Sequence, residues 1–311
     1  MTLPQRVRIY EVGPRDGLQN EPAPISTAAK LEYIRLLREA GLREIEATSF
    51  VSPRAVPQLS DAEDVMQALS GDRSATSVRY PVLVPNERGF ERAEPAGARA
   101  LAVFTAASDA FTERNIGMTV AQSLEAFRPV LSRARQAGWW TRAYLSTAFG
   151  CPFSGRVEAG RVVDVALRLA ELGAEEVCVG DTIGVGVPGQ VSELTDRLVE
   201  AGLATDRLAF HFHDTRGTAL ANVLAGLQAG ISCFDSSTGG TGGCPFAPGA
   251  AGNLATEDLV YMLDGMGIEH GVSLGPLLAA ARFISGQLGR PLFSKVGQSG
   301  GWDARTGRQL L

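Results

Sequence analysis

The sequence is poor in the features that mark several classes of protein. Its four cysteines show no Cys-x-x-Cys spacing, which disfavours both a structural zinc site and a disulfide framework. No apolar run approaches the roughly 18 residues of a membrane-spanning helix, and the first residues lack the apolar core of a signal peptide. A formal net charge of -5 argues against binding to nucleic acid or to an anionic membrane. We therefore expect a cytoplasmic protein that acts on small molecules, with no nucleic-acid or membrane partner.

Short β-rich runs alternate with amphipathic helical stretches along the chain. The eight predicted strands are residues 7–12, 44–49, 77–84, 98–105, 141–147, 175–179, 207–212 and 233–236. The predicted helices are residues 26–40, 61–69, 87–94, 120–136, 158–172, 189–201, 218–229, 254–266 and 274–288. Without a linker or a break in composition, this pattern fits a single (β/α)8 TIM barrel over residues 1–311 better than two doubly wound domains. The helices after about residue 254 would lie outside the barrel.

Histidine is scarce, with three residues in 311, yet two of them stand together as His211-Phe212-His213. In a strand, residues i and i+2 face the same side, so the two imidazoles would converge. A divalent metal is the commonest reason for such a pair. The alternative is two strand-end histidines that are satisfied by backbone hydrogen bonds.

In a TIM barrel, the chemistry lies where the strands end and the βα loops begin. Polar clusters of this sequence fall at those positions. They are Gly13–Gly17 after the first strand, Glu46 and Ser49 at the end of the second, Gly180–Thr182 after the sixth, His211 and His213 at the end of the seventh, and Thr238–Asn253 after the eighth. The barrel would bring these distant groups to one mouth.

Four segments match a known family of enzymes. They are GPRDGLQN at residues 13–20, IEATSFVSP at 45–53, GDTIG at 180–184 and GCPFAPGAAGN at 243–253. With them the chain resembles the 3-hydroxy-3-methylglutaryl-CoA (HMG-CoA) lyases from about residue 10 to residue 263. The Arg-Asp-Gly of the first segment is shared with related synthases, whereas the Gly-Cys-Pro-x-Ala-Pro-Gly loop is specific to the lyases.

The resemblance implies a carbon-carbon lyase that cleaves HMG-CoA to acetyl-CoA and acetoacetate, in leucine degradation and ketone-body formation. It assigns a divalent metal to Asp16, His211, His213 and Asn253. This mixed set of oxygen and nitrogen ligands suits Mg²⁺ or Mn²⁺. A bound metal would lower the pKa of the substrate's hydroxyl group, and either Asp16 or His211 would accept its proton.

The resemblance also implies roles for groups beside the metal. Arg15 is suited to the thioester oxygen, where negative charge develops in the transition state. Glu46 would position a metal ligand or Arg15. The loop with Gly243, Cys244 and Pro245 would close over the mouth, and in the family the cysteine thiol protonates the enolate of acetyl-CoA.

An acyl-CoA partner follows from the same resemblance. Beside Arg15, the side chains of Asn115, Arg142 and Asp181 match family residues near the substrate. We also expect a homodimer, since the C-terminal helices have apolar faces to cover.

The chain departs from the family at three positions. Phe212 and Arg216 replace a cysteine and a tyrosine, and Thr105 stands where glycine is common. By strand parity Phe212 points away from the metal face, whereas Thr105 and Arg216 are expected nearer the mouth. The alternatives are therefore a lyase for a longer 3-hydroxy-3-alkylglutaryl-CoA, a Claisen condensing synthase and, more remotely, a non-catalytic metal-binding scaffold.

Overall fold

The computed structural model describes residues 3–72, 77–243, 251–303 and 307–309. Parallel strands form one sheet, and helices alternate with them along the chain. The strands of this sheet are β1 Arg8–Glu11, β2 Glu44–Ile45, β3 Thr48–Ser49, β4 Val82–Leu83, β5 Ala100–Ala106, β6 Trp140–Ser146, β7 Glu176–Asp181, β8 Leu208–Phe212 and β9 Cys233–Ser236.

The sheet closes on itself through a single interrupted strand. Its order is β2-β1-β9-β8-β7-β6-β5-β4-β3, so β2 and β3, which only Glu46 and Ala47 separate, form its two ends. Hydrogen bonds from Glu46 N to Glu11 O (2.8 Å) and from Ala47 N to Pro81 O (3.0 Å) join this interruption to both neighbours. The eight predicted strands therefore form the predicted (β/α)8 barrel, and the alternative of two doubly wound domains does not apply.

The helices surround the barrel and continue after it. They are α1 Thr27–Glu39, α2 Ala62–Gly71, α3 Glu87–Ala93, α4 Asp109–Ile116, α5 Val120–Gln136, α6 Ala159–Glu171, α7 Pro188–Glu200, α8 Ala219–Gln228, α9 Thr256–Gly265, α10 Leu274–Leu288 and α11 Lys295–Ser299. Side-chain caps start several of them; Ser26, for example, accepts a hydrogen bond from Ala29 N at the start of α1. No helix in the described ranges is both long and apolar enough to span a lipid bilayer.

Three parts of the fold differ from the prediction. The third strand is only Val82–Leu83, because Pro81 and Pro85 flank it and have no N–H for a strand ladder. Helix α4 was missed, although Ser108 caps it by accepting a hydrogen bond from Phe111 N. The short α11 and the hairpin of β10 (Trp302–Asp303) and β11 (Arg308–Gln309) were missed too, since each is too short for a periodic pattern.

The two faces of the barrel strands differ in chemistry. The outward side chains pack against the helices in one large apolar core. The inward side chains form a smaller cluster that includes Tyr10, Tyr144 and Cys178. Charged groups lie in the same interior, among them the fully buried side chains of Arg142 and Asp235. The barrel axis is therefore polar, and its carboxyl end opens into the site described next.

Candidate active site

Three predicted metal ligands meet at the carboxyl end of the barrel. One ligand atom from each of Asp16, His211 and His213 lies within 4.8 Å of the others. Asn253 joins them because its Nδ2 donates to Asp16 Oδ2 at 2.8 Å and to the carbonyl oxygen of Thr241 at 3.0 Å. All four predicted ligands are thus neighbours, although more than 230 residues separate the first from the last.

The environment sets the protonation of these groups. Burial alone would raise the pKa of Asp16, but the charges of Arg15 and His211 and the hydrogen bond from Asn253 outweigh it and lower the pKa to about 2. Burial and the nearby charge of His211 lower the pKa of His213 to about 3. At neutral pH the site therefore holds an anionic carboxylate and a neutral imidazole, the forms that bind a cation.

The same site contains polar atoms without a protein partner. His213 Nδ1 and Asn253 Oδ1 are buried, and neither has a hydrogen-bond partner within the described part of the chain. Buried polar atoms normally have a hydrogen-bond partner, so these two unpaired atoms indicate that a ligand binds here. With Asp16 and His211 they make an oxygen and nitrogen donor set that fits a divalent metal.

Arg15 lies beside this donor set and is rigidly held. Its Nε donates to Glu46 Oε2 at 2.6 Å, and its Nη1 donates to Asp16 Oδ1 at 2.8 Å. Tyr144 also donates to Glu46 Oε2, at 3.2 Å. Glu46 therefore orients Arg15, and the guanidinium stays at the mouth of the barrel.

A tight turn after β1 places Arg15 and Asp16. The backbone N–H groups of both residues, and that of Gly17, point at the carbonyl oxygen of Val12. Gly17 is required there, because an added Cβ would lie 2.4 Å from Thr241 Oγ1. The turn thus packs directly against the segment that leads to the glycine-rich loop.

These groups line one cavity of about 640 Å³. Arg15, Asp16, His211 and His213 form one part of its wall. The apolar part of the wall includes Leu83, Phe104, Phe111, Ile116, Met118 and Phe153. The cavity therefore joins a charged metal-binding end to an apolar surface.

The family model described as HMGL-like matches residues 6–284. The chain belongs to this family. It is 51% identical to the mitochondrial hydroxymethylglutaryl-CoA lyase of Rattus norvegicus over 299 residues, which are 96% of this chain and 90% of the relative.

Solved structures of the family are similar over nearly the whole chain. The hydroxymethylglutaryl-CoA lyase of Pseudomonas aeruginosa has a TM-score of 0.92 at 46% identity, with 96% of this chain and 98% of that chain covered. An HMG-CoA lyase of Acinetobacter baumannii, solved with coenzyme A and 3-methylmalate, has a TM-score of 0.89 at 36% identity, with 97% of each chain covered. The resemblance seen in the sequence motifs is thereby confirmed.

The structure describes the two ends of the loop that contains the Gly-Cys-Pro-x-Ala-Pro-Gly motif. Gly243 lines the cavity, whereas Cys244 and Pro245 lie outside the described residues. An added Cβ on Gly242, at φ +88°, would lie 2.5 Å from Asn253 Nδ2. Asn253 N in turn donates to Gly242 O at 3.2 Å. The base of the loop is thus closed against a predicted metal ligand, two residues from Cys244.

The predicted substrate residues separate into two groups. Asn115 lines the cavity together with its neighbour Arg114. Arg142 does not: its side chain is 0% exposed and forms ion pairs with Glu176 and Asp235 below the cavity. Arg142 therefore has no surface open to the cavity in this structure, and its binding of substrate stays a prediction.

Asp181 also has a role other than the predicted one. Its two carboxylate oxygens accept hydrogen bonds from Val185 N (2.9 Å) and Gly186 N (2.8 Å), and it is 1% exposed. It therefore shapes the loop after β7, while Gly180 and Thr182 on either side line the cavity. Binding of substrate by Asp181 stays a prediction.

The two departures expected near the mouth lie outside the cavity wall. Thr105 Oγ1 is 2.7 Å from Ser123 Oγ of α5, on the outer face of the barrel. Arg216 donates to the carbonyl oxygens of Ile183 and Gly184. Each substitution therefore supports a backbone or a helix contact instead of facing the substrate.

Sequence reasoning missed Tyr144 and Asp235. Tyr144 lines the cavity and contacts Glu46, and Asp235 Oδ2 lies 3.1 Å from His211 Nδ1. An acidic residue within the predicted strand Cys233–Ser236 was a usable signal, because buried parallel strands are nearly continuous in apolar residues.

Proposed function

We propose that this protein is a divalent-metal-dependent lyase that cleaves HMG-CoA to acetyl-CoA and acetoacetate. The observation that carries the proposal is the meeting of Asp16, His211 and His213 beside Arg15 in the wall of one cavity, with Asn253 hydrogen-bonded to Asp16. The close identity to hydroxymethylglutaryl-CoA lyases over nearly the whole chain supports the same reaction.

The reaction breaks the bond between C2 and C3 of the acyl group. A base takes the proton of the 3-hydroxyl group, C3 becomes the ketone carbon of acetoacetate, and the electron pair of the broken bond forms the enolate of acetyl-CoA. Protonation of C2 then completes the products. The protein must therefore supply a base, a partner for the enolate oxygen and an acid.

Four residues would hold the metal: Asp16, His211, His213 and Asn253. The bound ion would supply Lewis-acid polarisation of the substrate's oxygen atoms. Asp16 and His211 both line the cavity, so either is placed to accept the hydroxyl proton. The donor set suits both Mg²⁺ and Mn²⁺, so we propose either ion as the cofactor.

Arg15 stabilises the enolate. Glu46 and Asp16 hold its guanidinium in place before the reaction, so no reorganisation is needed when charge develops on the thioester oxygen. We assign protonation of C2 to the Cys244 thiol, because the loop that carries it begins and ends beside Asn253. Solvent would return the proton to the thiolate between turnovers.

The apolar wall of the cavity suits the uncharged arm of an acyl-CoA, and Asn115 can hydrogen-bond to its amides. Neither Thr105 nor Arg216 belongs to that wall. These departures from the family therefore give no reason to prefer a substrate with a longer 3-alkyl group over one with a methyl group. We also propose a homodimeric, cytoplasmic enzyme with a role in leucine degradation and ketone-body formation.

A direct assay tests the proposal. Purified protein with Mg²⁺ or Mn²⁺ and HMG-CoA, under reducing conditions, should yield equal amounts of acetoacetate and acetyl-CoA. The metal-free protein is the control and should be inactive. If HMG-CoA and its longer 3-alkyl analogues all remained intact, the protein would not be this lyase.

A further inference from the structure

A chain of alternating charges runs through the barrel interior from its amino end to His211. Arg8, which is 38% exposed in its side chain, pairs with the buried Glu176. Arg142 Nε lies 3.1 Å from Glu176 Oε1, and Arg142 Nη2 donates to Asp235 Oδ1 at 2.6 Å. Asp235 Oδ2 then lies 3.1 Å from His211 Nδ1. We name this series the axial column.

Arg142 is the fixed point of the axial column. Its guanidinium carbon lies 3.8 Å from the ring centroid of Tyr10 and 5.0 Å from that of Tyr144. A planar cation between two rings and two carboxylates has little freedom to turn. The orientation of Arg142 in turn restricts the carboxylate plane of Asp235.

Both oxygens of Asp235 are used. One accepts from Arg142, and the other faces His211 and the Cys178 thiol, whose Sγ is 3.5 Å away. An ionised carboxylate can only accept hydrogen bonds, so Nδ1 of His211 must carry a hydrogen. The lone pair of a neutral His211 then belongs to Nε2, leaving that atom to act as a metal ligand.

We propose that Asp235, held by Arg142, is a positioning residue that fixes the tautomer and orientation of His211 for metal binding. The proposal rests on the metal role given to His211 above and adds the group that prepares it. Metal-ligating histidines commonly donate their second ring N–H to a carboxylate. In the axial column the role of the buried Arg142 is to hold Asp235, which needs no contact with substrate.

The replacement Asp235→Asn tests this by geometry. Arg142 would still require an acceptor, so the amide oxygen would face Arg142 and the amide NH₂ would face His211 Nδ1. That nitrogen would then have to accept, and the hydrogen would move to Nε2. The same change in the serine protease triad gives the wrong tautomer and lowers kcat about 10⁴-fold.

The three histidines of the chain make the tautomer directly measurable. We would record long-range ¹H–¹⁵N correlations of the imidazoles in metal-free, ¹⁵N-histidine-labelled protein, assigned with His213→Ala and His270→Ala variants. At a pH where His211 is neutral, its ring hydrogen should be on Nδ1 in the wild type and on Nε2 in Asp235→Asn. The affinity for Mn²⁺, measured by electron paramagnetic resonance, should fall about 10- to 100-fold in the variant.

Glu257→Gln is the matched control, because it also replaces a fully buried carboxylate by its amide but touches no histidine. It should keep the wild-type tautomer and Mn²⁺ affinity. A neutral wild-type His211 with its hydrogen on Nε2 would overturn the proposal even if Asp235→Asn failed to fold. So would an Asp235→Asn variant with unchanged tautomer and affinity. Neither measurement uses HMG-CoA, so an absence of turnover would contradict the proposed reaction and leave this inference standing.

Discussion

Two arginines inside the barrel have the same kind of partners and different positions. In the upper cluster, Arg15 pairs with Glu46 and Asp16. In the lower cluster, Arg142 pairs with Glu176 and Asp235. The side chain of Arg15 is 8% exposed and lines the cavity, whereas that of Arg142 is 0% exposed.

The difference shows that depth along the barrel axis decides what a buried ion pair does. Arg15 follows the end of β1 and therefore lies in the mouth. Arg142 is the third residue of β6, about 6.6 Å along the strand before Tyr144, which does line the cavity. The upper cluster can meet a substrate, and the lower cluster can act only through the groups above it.

The largest expected effect is the loss of metal binding. His213→Ala removes one of the nitrogen ligands, so Mn²⁺ binding and turnover should both fall below detection. Metal titration and the HMG-CoA assay measure this. His270→Ala is the control, because His270 contacts Asp264 and Val272 outside the cavity.

Cys244→Ser should bind metal normally and lose most activity. Wild-type metal binding and rate in both His213→Ala and Cys244→Ser would contradict the assigned roles.

Removing the charge of the lower cluster should mainly lower stability. Arg142→Met leaves Glu176 and Asp235 buried and facing an apolar side chain, which should cost about 3 to 5 kcal/mol of the free energy of unfolding. Urea denaturation at pH 7 measures the loss. If Arg142→Met were as stable as the wild type, the charge of Arg142 would not be needed to keep Glu176 and Asp235 buried.

The matched change in the upper cluster should mainly lower the rate. Arg15→Met should reduce kcat about 10²- to 10³-fold, because the enolate loses its cationic partner. Its free energy of unfolding should fall less than that of Arg142→Met, since Asp16 has 25% of its side chain exposed and Glu46 keeps the Tyr144 hydroxyl. If Arg15→Met lowered the free energy of unfolding more than Arg142→Met does and left kcat unchanged, the proposed division between the two clusters would be wrong.

A buried carboxylate without an arginine gives the smallest effect. Burial raises the pKa of Glu257 to about 8, whereas the charge of Arg142 and the bond to His211 overcome burial and lower the pKa of Asp235. Folded Glu257 therefore binds a proton between pH 4.5 and about 8 that the unfolded chain releases. The free energy of unfolding should fall with rising pH in this window, by at most about 1.4 kcal/mol per pH unit.

Glu257→Gln should remove this pH dependence. Denaturation curves at pH 6, 7 and 8 should show the wild type losing stability relative to the variant. The exposed Glu39→Gln is a control that should follow the wild type. Parallel pH profiles of the wild type and Glu257→Gln would show that Glu257 does not titrate in this range.

Much of the molecule could be predicted because its signals are local. The alternation of strand and helix patterns predicted the barrel, since each element buries a face with its own period. Strand parity alone placed His211 and His213 on one side. The position of Arg15 and Asp16 directly after a strand placed them at the mouth. Asn253 came from the resemblance to the lyases, because nothing in its local sequence indicates a ligand.

What only the tertiary structure decided is depth and partnership inside the closed barrel. The sequence by itself determined the closed α/β architecture through periodicity, and it placed His211 and His213 on one face through strand parity. It could not determine that Arg142 lies below the cavity, nor that Asp235 reaches His211 from the next strand. Those facts depend on strand register and barrel closure, which bring residues 24 and 93 positions apart into hydrogen-bond contact.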